Sequence, residues 1–157
     1  MTDNYGRSIQ LGASRRRYED ALALQGAGRW NGAIYLGGYA IECSLKALIC
    51  YTEGKNTLTE TRMCEDPSVR GNALHNLDRL LDNANLAGLF RESSMKKEIA
   101  LDRTSALKNA WKTVRDLWKK DERRYGDKLG DRRECERFMK DVKVLYQHIL
   151  ERQKEFL

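Results

Sequence analysis

Proline is almost missing from this 157-residue chain, with Pro67 the only one. Because proline interrupts helix interiors, its scarcity leaves long stretches rich in Ala, Leu, Lys, Arg and Glu free to wind as helices. An all-α protein is expected. Histidine is scarce too, limited to His75 and His148, and the four cysteines (Cys43, Cys50, Cys64, Cys135) show no Cys-x-x-Cys spacing. A zinc cage would need an unusual long-range assembly, so no metal and no cofactor are expected, and the thiols are expected to be free and reduced. Long apolar runs are also lacking. A bilayer span needs roughly 20 apolar residues, whereas the longest run, residues 33–51, holds Glu42 and Lys46 in its middle. The first twelve residues, MTDNYGRSIQLG, lack the apolar core of a signal peptide. These absences argue against a membrane protein and against a secreted disulfide scaffold. They point to a cytoplasmic location.

What is present fits a folded domain. Apolar residues make up 41% and charged residues 33%, and the length suits one domain, residues 1–157, around one core. The net charge of +6 is uneven. Residues 1–90 carry ten Lys/Arg against ten Asp/Glu, and residues 91–157 carry nineteen against thirteen. A basic half attracts phosphate backbones, more weakly as salt rises. The same excess also suits the solvated faces of long helices.

Helical periodicity predicts five helices, at about residues 7–26, 31–51, 73–83, 92–120 and 132–155. Gly26 and Gly28 are helix stops, and Asn31 is placed to cap the second helix. Leu74, Leu77, Leu80 and Leu81 form the stripe of the third; Leu107, Trp111, Val114 and Trp118 belong to that of the fourth; Phe138, Val142, Leu145 and Ile149 belong to that of the fifth. The polar connection at 51–72 is long for a tight turn and is expected to be mobile or functional. The expected architecture is an antiparallel up-and-down four-helix bundle with an additional short helix.

The stretch GRWNGAIYLGGYAIECSLKALI, followed some 25 residues later by HNLDRLL, resembles the HEPN family. The likeness rests on Gly28, Arg29, Ala33, Tyr35, Leu36, Gly38, Tyr39, Ala40, Glu42, Leu45, Lys46 and Ala47, then His75, Leu77 and Leu80. Trp111, Trp118 and Arg124-Tyr125 look like the family's later positions. The resemblance implies a helical bundle that pairs as a homodimer. It implies one of two roles: a metal-independent endoribonuclease, commonly a toxin or defence component, or a non-catalytic nucleotide-binding or interaction module. Either role allows a separately encoded nucleotidyltransferase partner, an antitoxin in the first case. Members with catalysis use an Arg-x(4–6)-His motif.

RGNALH, residues 70–75, is Arg-x4-His. Cleavage of RNA by its own 2′-hydroxyl needs a base near neutral pH, which histidine supplies, and a cation on the phosphate, which arginine supplies. Arg70 and His75 are therefore the candidate catalytic pair, with His75 in the first turn of the third helix behind a Gly71-Asn72 cap. Gly71 stands where catalytic members carry a polar residue, and Leu77 stands where some toxins carry a modifiable tyrosine. Lys46, Arg29 and Arg124 are weaker candidates for RNA or phosphate contact. Glu42, Tyr39 and Gly38 are candidate structural or dimer-cleft residues. Glu42 and Lys46, four apart, read either as an intrahelical ion pair or as polar groups facing a cleft. The Arg15-Arg16-Arg17 run and Arg123-Arg124 read as solvated cations.

Overall fold

A computed structural model describes residues 5–69, 71–90, 101–126 and 130–157. Among the described residues there are seven α-helices: α1 Arg7–Gly26, α2 Trp30–Glu53, α3 Leu77–Asn83, α4 Ala87–Phe90, α5 Leu101–Trp118, α6 Lys120–Tyr125 and α7 Arg132–Lys154. The all-α class is as expected, but seven helices replace the expected four-helix bundle with one short helix. The surplus arises at local breaks that an apolar period does not register. Lys119 adopts a left-handed φ of 38°, which stops α5 and starts the separate α6. Asn85, at φ 60°, separates α3 from α4. Upstream of α3 the chain winds as a 3-10 turn, Gly71–His75, and Asn76 rather than Asn72 caps the helix, its side chain accepting the Arg79 N–H at 3.0 Å. His75 thus precedes α3 instead of lying in its first turn. Residues 91–100, where the fourth helix was expected to begin, lie outside the described residues.

Helix α2 is the hub. α1, α3, α5, α6 and α7 all pack against it, and α5 packs in turn on α7. Its Ile34, Ile41, Leu45, Leu48 and Ile49 join Leu80 and Leu81 of α3, Trp111 and Val114 of α5, and Phe138, Val142 and Leu145 of α7 in one buried cluster. Each such side chain contributes about 1.5–3 kcal/mol on burial. Being enclosed on several sides, α2 has little need of a polar face. By length and composition it could cross a bilayer, and most of that apolar window is buried inside the fold. Gly54, with φ +65°, closes the helix in the left-handed conformation that a side chain would strain.

The connection after α2 is pinned along much of its length. Leu58, Thr61, Met63 and Val69 are buried. The Leu58 N–H donates to Tyr5 O at 3.0 Å and the Arg7 N–H to Asn56 O at 2.8 Å, tying the loop to the start of α1. None of the four cysteines forms a disulfide, and burial pushes the thiols of Cys43 and Cys135 up to about 11.

Gly38 has a packing role within the chain. The Trp118 indole lies directly on it and donates its N–H to Tyr35 O at 3.0 Å, and a Cβ on Gly38 would overlap that ring. Gly38→Ala is therefore expected to lower stability by about 1–3 kcal/mol through overpacking. Gly26→Ala, where a Cβ meets nothing within 4 Å, is expected to be neutral or slightly stabilising. Urea denaturation of both variants measures this, and equal midpoints for the two would refute the packing role.

Candidate functional site: a buried Glu–Lys–His cluster beside an open cleft

Glu42 and Lys46 lie one turn apart on α2, and each side chain is only 3% exposed. Burying two charges costs several kcal/mol per ion unless their geometry and further bonds offset it. The Lys46 Nζ stands 2.9 Å from Glu42 Oε2. The 3-10 turn Gly71–His75 then delivers a third group, with His75 Nδ1 3.0 Å from the same Oε2 and 3.1 Å from Lys46 Nζ. Burial pushes the Glu42 carboxyl up, but the His75 hydrogen bond and the Lys46 charge outweigh it and hold the group below its ordinary value. With Glu42 ionised, an Nδ1 lone pair facing Oε2 would be repelled. Nδ1 also faces a donor, Lys46 Nζ at 3.1 Å, so its role follows the tautomer; with the proton on Nδ1 it donates to Glu42 and leaves Nε2 as the basic nitrogen. The ammonium of Lys46 turns its own proton to the same oxygen. Tyr5 encloses this charge, its ring centroid 5.3 Å from Lys46 Nζ.

His75 is a third exposed and forms part of the rim of an open cleft of about 350 Å³. Asp78, Arg115, Trp118, Lys120 and Asp121 also line it. Lys120 Nζ lies 3.9 Å from Glu42 Oε1, an oxygen with no hydrogen-bond partner among the described residues, and 5.7 Å from the Trp118 ring centroid. The left-handed Lys119 makes this possible, because the turn it forces brings α6 back over α2.

The structure thus brings His75 to the Glu42–Lys46 pair from 33 and 29 residues away. Arg70, the other half of the candidate pair, lies outside the described residues. Tyr39 supports the cleft from behind, its ring edge-on to Trp118 at 5.2 Å and its hydroxyl 3.5 Å from that of Tyr35. Burial, reinforced by the Tyr35 hydroxyl, raises its phenol. Gly38 lies beneath Trp118 of its own chain. Arg29 is exposed at the start of α2, and Arg124 is exposed with its guanidinium 5.5 Å over the Tyr125 ring; neither lines the cleft.

Three cations escaped the sequence. Lys120 and Arg115 are cleft cations that no motif marks. Arg123, expected in solvent, is buried, donating to Leu117 O and pairing with Glu134 and Asn31. It clamps α6 to α2 and α7 and is structural. Among the described residues, no group of three or more His, Cys, Asp or Glu side chains is arranged to hold a metal ion.

Comparison with protein families, curated proteins and solved structures found no match for this chain. The HEPN membership expected from the residues, and the ribonuclease identity that came with it, are therefore not borne out by any relative. What remains to argue from is the cleft itself, where a histidine held by a buried carboxylate shares the lining with Arg115, Lys120, Asp78 and Asp121.

Proposed function

We propose that the cleft binds an RNA strand and that His75 moves the proton that starts its cleavage. The observation that carries this reading is the contact between His75 Nδ1 and the buried Glu42 carboxylate. A carboxylate that fixes one imidazole nitrogen as N–H makes the other a base, and histidine takes up protons near neutral pH. Nε2 removes the proton of a ribose 2′-hydroxyl. The 2′-oxygen attacks the adjacent phosphorus, the bond from phosphorus to the 5′-oxygen breaks, and the departing 5′-oxygen takes a proton from the imidazolium or water. Lys120 and Arg115 line the same cleft as His75, and their positive charge favours the extra negative charge that develops on the phosphate.

This chemistry requires a 2′-hydroxyl and yields defined ends. RNA incubated with the protein in EDTA is expected to give 2′,3′-cyclic phosphate and 5′-hydroxyl termini. A substrate with a single 2′-deoxynucleotide is expected to resist at that position. Termini of the 3′-hydroxyl and 5′-phosphate type, or cutting at the deoxy position, would overturn the reading. Binding of RNA or nucleotide with no cleavage at all would leave a non-catalytic nucleotide-binding module.

A further inference from the structure

We infer that α5 carries a second phosphate-holding cleft next to that of His75, and that the two together take one single strand of RNA longer than a dinucleotide. The inference rests on the proposed RNA reading of the first cleft and extends it along the protein surface. A separate hollow of about 240 Å³ is formed by Phe90 of α4 and by Lys108, Trp111, Lys112 and Arg115 of α5. Arg115 belongs to both hollows, so they adjoin. Lys108, Lys112 and Arg115 follow the spacing i, i+4, i+7, which sets three cations on one helix face over about 10 Å of rise. Lys112 and Arg115 are exposed and Lys108 is half-buried. The nearby acid, Asp116, stands 3.4 Å from Arg115 Nε with both side chains about half exposed. Such an open pair is weak and releases the guanidinium readily.

The floor of the second hollow indicates what kind of contact it makes. Phe90 and Trp111 are buried, tilted against each other with centroids 5.8 Å apart. Neither offers an open ring face on which a base could stack. Recognition there falls to the lysines and so to phosphate, which carries no sequence information. A strand seated with one phosphate against Lys120 and Arg115 reaches Lys108 and Lys112 only if it continues past the neighbouring nucleotide. A dinucleotide fills the first cleft alone.

The experiment compares wild-type protein with Lys108→Ala/Lys112→Ala by fluorescence anisotropy, using a labelled dinucleotide and a labelled single strand of about 12 nucleotides. The double variant is expected to bind the longer strand roughly tenfold more weakly. Its log–log salt slope should be shallower by about 0.7 for each phosphate that it no longer neutralises. Dinucleotide affinity and its cleavage rate are expected to be unchanged. A double variant that binds the longer strand with wild-type affinity and slope overturns the second cleft. So does displacement of the strand by polyglutamate as effective as displacement by unlabelled RNA, which would mark a general acid-binding surface. If the wild type binds as described but cuts neither RNA, the second cleft stands and the catalytic proposal falls.

Discussion

His75→Ala is expected to lower RNA cleavage by about 10²–10⁴-fold, the usual worth of a positioned acid–base group. The loss should fall on turnover more than on binding. Lys120 and Arg115, the cleft's cations, remain in the variant, and a group that acts only as the proton moves affects kcat with little change in KM. The fold should also survive, because Glu42 keeps its 2.9 Å bond to Lys46 when the imidazole is gone. Circular dichroism and urea midpoints check that point independently of activity. Added imidazole provides a second readout. It can enter the space left by the side chain and restore part of the rate to His75→Ala, whereas it cannot repair a merely structural defect. Cleavage by the variant at the wild-type rate would remove His75 from the chemistry altogether.

Some of this was legible in the sequence, for identifiable reasons. The helical class follows from composition, and α1, α2 and α7 were located to within a few residues because long apolar periods specify long helices. The breaks were not legible. Nothing in the string WKKDERRY marks Lys119 as left-handed, a conformation for which lysine has no local preference. The same blindness hid Lys120, whose value to the cleft depends entirely on that turn. Arg123 and Arg124 look alike in sequence, yet one is buried and the other exposed. The difference is set by partners at Asn31 and Glu134. Glu42 and Lys46 allowed two readings, an intrahelical pair or cleft residues. The structure shows the intrahelical pair, buried and apart from the cleft lining, and His75 joins it from a turn that periodicity assigned to the following helix.

Glu42 is the position where stability and proton chemistry meet, and Glu42→Ala is expected to destabilise the protein by about 3–5 kcal/mol. Removing one partner of a buried ion pair leaves the other charge uncompensated, and here the orphan is Lys46, 3% exposed. The His75 Nδ1 lone pair, 3.1 Å away, can accept from the ammonium and offsets part of that cost, so the lower end of the range is expected. The same acceptance places the proton on Nε2, so cleavage should fall in this variant even where it is folded. A companion variant separates charge from packing. Glu42→Leu/Lys46→Met replaces the pair with apolar side chains of similar volume, which is often neutral or stabilising. It is expected to recover most of the stability and none of the activity. The pH dependence carries the opposite test. Glu42 is held below its ordinary value in the folded protein, so over the usual carboxylate range, about pH 4 to 5, the unfolded chain binds the proton more readily. Stability from Glu42 is then fully present at neutral pH and is lost as pH falls through the depressed folded value. Glu42→Gln, which lacks that titration, should lose less stability on acidification than the wild type. Parallel acid profiles for the two proteins would mean that the carboxylate, though buried and bonded, is not what couples this fold to protons.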